Sequence, residues 1–131
     1  MNIDKAFIAI ENGDLNSIIN YFDDGLGIEN QNDNGWTMLV VASFNQQLDI
    51  VEWLIDKGAN VNHISKKGTT VFMYAKTKVL QTGNYDVLNR LIEAGVDLNI
   101  RDFKKNWTVL QYVEELKHEE METFLLNYGA K

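Results

Sequence analysis

The sequence has no cysteine and no proline in its 131 residues. The first absence removes disulfides, zinc–thiolate sites and thiol nucleophiles. The second removes the residue that presets the backbone angle at a helix start, so any helix here must open by other means. His63 and His118 are the only imidazoles, and a metal site needs three or four convergent ligands. No run of about 20 apolar residues is present to span a bilayer. Positive charge is in deficit: 12 Lys and Arg face 19 Asp and Glu, a net of −7. That balance argues against the nucleic-acid phosphate backbone as a partner. There is no G-x-x-x-x-G-K-[ST] or G-x-G-x-x-G loop, and Ser17, Ser43 and Ser65 show no nucleophile elbow. The opening stretch MNIDKAFIAIENGD carries Asp4 and Glu11 and lacks a small-residue cleavage site, so it reads as a helix and not as a signal peptide. Together these absences predict an acidic cytoplasmic chain with no catalysis, no cofactor and no metal.

One cluster could carry acid–base chemistry. Glu114, Glu115, Glu119, Glu120 and Glu122 crowd together near the C-terminus. A carboxylate pair is one reading. The other is a solvated helix face, with Glu119 and Glu120 at a helix start where the backbone dipole favours negative charge.

What the sequence does contain is repetition. IDKGANVN at Ile55–Asn62 matches IEAGVDLN at Ile92–Asn99, with a shortened copy at Leu126–Lys131 and a degraded one at Phe22–Glu29. The glycines Gly25, Gly58, Gly95 and Gly129 lie 33, 37 and 34 residues apart. A second set of stretches aligns Thr37, Thr70 and Thr108 in one column, followed two residues later by Leu39, Phe72 and Leu110. The third unit carries about four extra residues within Lys76–Gly83, because Gly68 to Gly95 is 27 residues where Gly35 to Gly58 is 23. Apolar residues at helical spacing predict a helix pair in each unit: Ile3–Asn12 with Leu15–Asp24, Met38–Asn45 with Leu48–Lys57, Val71–Leu80 with Tyr85–Ala94, and Val109–Lys117 with Glu119–Tyr128. Gly58 should end the second helix of its unit in the left-handed conformation. Each pair is too small to bury its apolar face alone, so the units must stack.

A period near 33, a G-x-T-x-L start and a G-x-x-x-N turn together resemble the ankyrin repeat. The resemblance implies an all-α solenoid of about four helix-turn-helix units with short β-turn or hairpin tips. Residues 1–131 then form one domain, with repeats at about 1–32, 33–65, 66–102 and 103–131. The family's proline is replaced by Met38, Val71 and Val109, and its histidine by Val40, Met73 and Gln111; lower stability than a consensus array is expected, with the same fold. The insertion resembles a variation seen in bacterial ankyrin repeats and points to a bacterial source. Ser17 in the first unit and Glu122 in the last stand where inner units are apolar, which predicts polar outer faces, a complete array and a monomer.

The resemblance also implies where a partner would sit: on the turn tips and the exposed side of each first helix. Those columns hold Asp33, Asn34, Trp36, Phe44 and Asn45 in the second unit. They hold Lys66, Lys67, Thr69, Thr77 and Lys78 in the third, and Lys104, Lys105, Trp107 and Glu115 in the fourth. Trp36 and Trp107 share one column, as interface anchors or as packing for neighbouring turns; Trp53 occupies a column expected in the core. Residues 1–34 hold seven acids and one base, leaving the rest of the chain near neutral. The expectation is a protein-binding module with another protein as partner and neither nucleic acid nor membrane. A narrower alternative is a small acidic inhibitor or immunity-type protein that neutralises a toxin or enzyme. A ligand-binding protein or cryptic enzyme would require a pocket with convergent polar side chains.

Overall fold

A computed structural model describes residues 3–131; Met1 and Asn2, the first positions of the expected first unit, lie outside them. Among the described residues there are eight helices in four consecutive pairs. These are α1 (Ile3–Glu11) and α2 (Leu15–Asp23), then α3 (Met38–Phe44) and α4 (Leu48–Asp56). Next come α5 (Val71–Thr82) and α6 (Asp86–Glu93), then α7 (Val109–Leu116) and α8 (Glu119–Asn127). The expected all-α repeat solenoid is what forms.

The first helices of the last three pairs open without proline because threonine caps them. The Thr37, Thr70 and Thr108 hydroxyls accept hydrogen bonds from the backbone N–H of Val40, Met73 and Gln111 at 3.4, 3.1 and 3.4 Å. Thr108 adds a reciprocal bond, its own N–H donating to Gln111 Oε1 at 2.9 Å. Such caps each contribute about 1 kcal/mol. At the other end of α4, Gly58 takes φ of +89°. Its N–H donates to the Ile55 carbonyl at 2.9 Å, and the Ala59 N–H donates to Leu54 at 3.0 Å. This paired closure needs a left-handed residue after the helix.

The asparagine four residues after each of these glycines has a definite task. Asn62 Oδ1 accepts the Asp97 N–H at 2.8 Å, and Asn99 Oδ1 accepts the Lys131 N–H at 2.9 Å. Each bond crosses to the next repeat. Glu29, in the degraded first copy, does the same for the Asn60 N–H at 2.9 Å. A carboxylate supplies the acceptor that an amide supplies elsewhere, so the column survives the change of residue.

The core runs continuously through the stack, with Ile10, Ile18, Leu39, Leu54, Leu88, Leu91 and Leu125 among the fully buried side chains. Complete burial of each such side chain contributes about 1.5–3 kcal/mol before entropy is counted. Ser17 and Glu122 are half-buried beside the fully buried Ile18 and Met121. Trp53 departs from its expected core position. It is half-buried, edge-on to Phe22 of the preceding repeat at 5.3 Å, with the Lys57 ammonium 5.7 Å over its ring. An indole is too large for a column of leucines, and it spills to the rim of the stack.

The insertion is absorbed by helix. α5 runs 12 residues where α7 runs 8, one extra turn, and Gly83 closes it at φ of +73°. The extra turn reaches back to the second repeat: Thr82 Oγ1 donates to Gln46 Oε1 at 3.0 Å, and Gln46 Nε2 donates to the Asn84 carbonyl at 2.9 Å.

Candidate functional site

Three tips overhang the first helices. In the second repeat the tip closes through the Asn32 N–H donating to the Trp36 carbonyl at 3.0 Å. In the third, Ser65 donates likewise to Thr69 at 3.0 Å, and in the fourth Asp102 donates to Trp107 at 2.9 Å. Isolated antiparallel bridges, Gln31 with Thr37 and Ile64 with Thr70, mark the first two as rudimentary hairpins. A side-chain oxygen at the start of each tip holds its backbone. Asn32 Oδ1 accepts the Trp36 N–H at 3.1 Å, Ser65 Oγ the Thr69 N–H at 3.2 Å, and Asp102 Oδ1 the Trp107 N–H at 3.1 Å.

Between the tips and helix α5 lies a groove of about 500 Å³. Its existence traces to one column. The residue before the capping threonine is tryptophan in the second and fourth repeats but Thr69 in the third. The middle position is small, and the space an indole would fill stays open.

Eight expected surface residues line this groove: Asp33, Asn34 and Trp36; Lys66, Lys67 and Thr69; and Thr77 and Lys104. Phe44 and Asn45 share a smaller neighbouring hollow of about 220 Å³ with Trp36, and Lys78 lies 5.1 Å over the Phe44 ring. Lys105, Trp107 and Glu115 form a separate cluster. There the Lys105 ammonium stands 4.5 Å over the Trp107 ring and 3.9 Å from the Glu115 carboxylate.

The floor and end wall consist of residues the column reading did not select: Met73, Tyr74, Lys76, Asp102 and Tyr112. Tyr74 and Tyr112 sit four residues after the capping threonines, on the inner side of helices whose apolar period reads as core. Long helical side chains lean toward the helix N-terminus, which brings both rings under the tips. Trp36 stands edge-on to Tyr74 at 5.2 Å, and its Nε1 donates to the Tyr74 hydroxyl at 2.8 Å. That hydroxyl donates onward to Ser65 Oγ at 3.1 Å. Trp107 stands edge-on to Tyr112 at 5.1 Å, and the Tyr112 hydroxyl donates to Asp102 Oδ2. Both tryptophans therefore pack on neighbouring groups, and Trp36 also forms groove wall.

Electrostatics separate the polar groups of the groove. Burial raises the Asp102 carboxyl pKa, but hydrogen bonds from Tyr112 and from the Trp107, Lys105 and Asn106 amides outweigh it and hold the group below its ordinary value. Tyr112 is pushed up to about 12, by burial first and then by its bond to Asp102 and the Asp102 and Glu115 charges. The two therefore stay tyrosine hydroxyl and carboxylate across the neutral range. Lys76 is different. It is 8% exposed, burial pushes its ammonium pKa down, and its recorded contact is the Tyr112 ring face at 5.5 Å.

The two histidines serve the backbone. His63 Nε2 bonds the Gly35 carbonyl at 2.9 Å, so it carries the proton, and His118 Nδ1 caps α8 by accepting the Met121 N–H at 3.1 Å. Glu119, Glu120 and Glu122 fall in the first turn of α8. No helix among the described residues is long and apolar enough to cross a membrane.

The family model described as "Ankyrin repeats (3 copies)" matches residues 6–102. The chain is 24% identical over 123 residues to "Ankyrin repeat, SAM and basic leucine zipper domain-containing protein 1" of Dasypus novemcinctus, covering 94% of this chain and 26% of that protein. It is 36% identical over 95 residues to "Ankyrin repeat and KH domain-containing protein mask-1" of Caenorhabditis elegans, covering 72% of this chain and 4% of that one. Identity to "Ankyrin repeat and MYND domain-containing protein 1" of Mus musculus is 39% over 67 residues, half of this chain and 7% of the relative. The chain thus spans a small part of each relative's length, and the likeness lies in what all share. The glycine period, the threonine-capped helix pairs and the family match agree: the chain belongs to the ankyrin repeat family.

Proposed function

We infer that the chain is a non-catalytic protein-binding module, and that its four repeats act as one unit taking an extended segment of a partner protein in the groove over α5. The observation that carries this reading is the break in the tryptophan column. Trp36 and Trp107 fill their positions, while Thr69 leaves a groove of about 500 Å³ between three tips. The walls combine aromatic and apolar surface from Trp36, Met73 and Tyr74 with lysine rims, a mixture suited to a peptide with a few fixed polar contacts. Convergent polar groups are present, but Tyr74 is engaged with Trp36 and Ser65, and Tyr112 with Asp102, which also accepts from backbone amides. These commitments hold the tips in place, which supports a binding reading over a catalytic one.

Thr69→Trp tests the reading. Two sister repeats already accommodate an indole in this column, so the variant should fold with an unchanged circular-dichroism spectrum while closing the groove. Wild type and Thr69→Trp used as paired baits in cell extract should differ by the loss of the groove partner. A partner retained equally by both baits would refute the groove as the binding surface.

A further inference from the structure

Two charged residues of the groove are more than nine-tenths buried, Lys76 and Asp102. Asp102 is held by hydrogen bonds, while Lys76 has, among the described residues, neither a hydrogen bond nor a counter-charge. Its ammonium has three donors, yet among the described residues it makes no hydrogen bond or ion pair; Tyr112 offers only its ring face. The acids nearby are committed or exposed. The Asp102 carboxylate accepts from Tyr112 and from the Lys105 and Trp107 amides. Asp33 is at the exposed rim, where its carbonyl accepts from the Lys66 ammonium at 3.1 Å. Nor is the nitrogen walled in: among the described residues, the sealed side-chain polar atom lacking a partner is Ser43 Oγ, not Lys76 Nζ. The Lys76 stem is buried and its ammonium opens into the groove, where the surrounding protein strengthens its pairing with a ligand charge relative to open water. The groove is also the basic part of an acidic chain, with Lys66, Lys67 and Lys104 along its rim.

We propose that Lys76 reads a carboxylate: the groove takes an acidic segment of the partner protein and seats one aspartate or glutamate side chain against the Lys76 ammonium. This rests on the peptide-binding reading and names the chemistry it selects. A carboxylate fits better than a phosphate. Phosphate sites favour arginine forks, and no arginine lines this groove, whose floor offers a single ammonium. The rim lysines contribute long-range attraction and the buried lysine the selectivity.

The probe is a displayed library of random decapeptides, selected on the immobilised full chain. Enriched peptides should share one acidic position. Replacing that residue, Glu to Gln, in a synthetic peptide should weaken binding to the wild type about thirtyfold, and binding to Lys76→Met less than about threefold. Independently of any variant, the titration midpoint of Lys76, followed through its Cε resonance by NMR, should rise when the peptide binds. Enriched peptides with no acidic position, an equal Glu-to-Gln penalty on both proteins, or an unmoved Lys76 midpoint would each overturn the proposal. If those peptides still fail to bind Thr69→Trp, the groove reading survives that failure. If the wild type enriches no peptide, both fall together.

Discussion

The inner tips and the last tip solve the same turn differently. The second and third repeats use a neutral opener, Asn32 or Ser65, a bridge back to the capping threonine, and a glycine at φ of +75° or +81°. The fourth opens with the nearly buried Asp102, is one residue longer, and places Asn106 at φ of +58°. The difference follows from what lies over each glycine. A Cβ on Gly35 would come within 2.8 Å of Lys66 Cγ, and one on Gly68 would overlap the backbone nitrogen and ring of Phe103. Both neighbours belong to the next tip. Stacking presses each inner tip against its successor, so only glycine fits. At Asn106 the left-handed angle is taken by asparagine, one of the few side chains that visit it readily, and the Asp102 carboxylate holds the loop.

The largest effect should come from breaking that contact. Gly68→Ala adds a methyl where the Phe103 backbone lies and keeps a positive φ that alanine resists. The two penalties together should destabilise the protein by about 2–4 kcal/mol. Gly35→Ala should cost about 1–2 kcal/mol, because its close neighbour is a flexible lysine stem that can swing aside. Urea unfolding of the two variants measures the difference. Equal losses would mean that the left-handed angle alone requires the glycines and that tip-on-tip packing does not.

Charge at the tip opener should rank next. Asp102→Ala strands the Tyr112 hydroxyl and two amides, and should cost about 2–3 kcal/mol; Ser65→Ala removes a neutral acceptor and should cost about 1 kcal/mol. The pair also differs with pH. Asp102 has a carboxyl pKa below its ordinary value in the folded chain. As pH falls below about 3.9, the unfolded chain takes up a proton that the folded chain refuses, so stability declines until Asp102 itself protonates. Asp102→Asn should flatten that acid limb and Ser65→Ala should leave it. Part of the limb should persist in Asp102→Asn, because Asp14 is also held low by its bonds to Ser17. An acid limb unchanged by Asp102→Asn would show that the tip does not depend on its charge.

The fold was legible where one residue type answers one physical demand. Gly58 had to be left-handed, Thr37 and its sisters had to cap, and their spacing carried the whole stack. Much of the groove's rim was legible for the same reason, since Trp36, Lys66 and Lys67 fall in columns that the fold does not use. The floor was not. Tyr74 and Tyr112 lie within apolar helix periods, and only the lean of their side chains toward the tips makes them groove lining. Lys76 opens the insertion, and its burial depends on a helix that continues for another turn, to Thr82. A lysine in that position reads as solvated until the elements around it are placed.

Asn106→Gly is the smallest change and the most specific to the comparison. Glycine would remove the residual strain of a left-handed asparagine, but it would also widen the unfolded ensemble by a similar free energy. Asparagine is among the few side chains that visit this region readily, so the net change should stay within about 0.5 kcal/mol. The reverse exchange, Gly35→Asn, should cost about 1–2 kcal/mol, because its side chain must displace Lys66. Thermal unfolding of both variants sets the two tips on one scale. If Gly35→Asn proved as neutral as Asn106→Gly, the inner tips would have room that their close neighbours deny them, and coverage by the next tip would no longer explain the glycines of the second and third repeats.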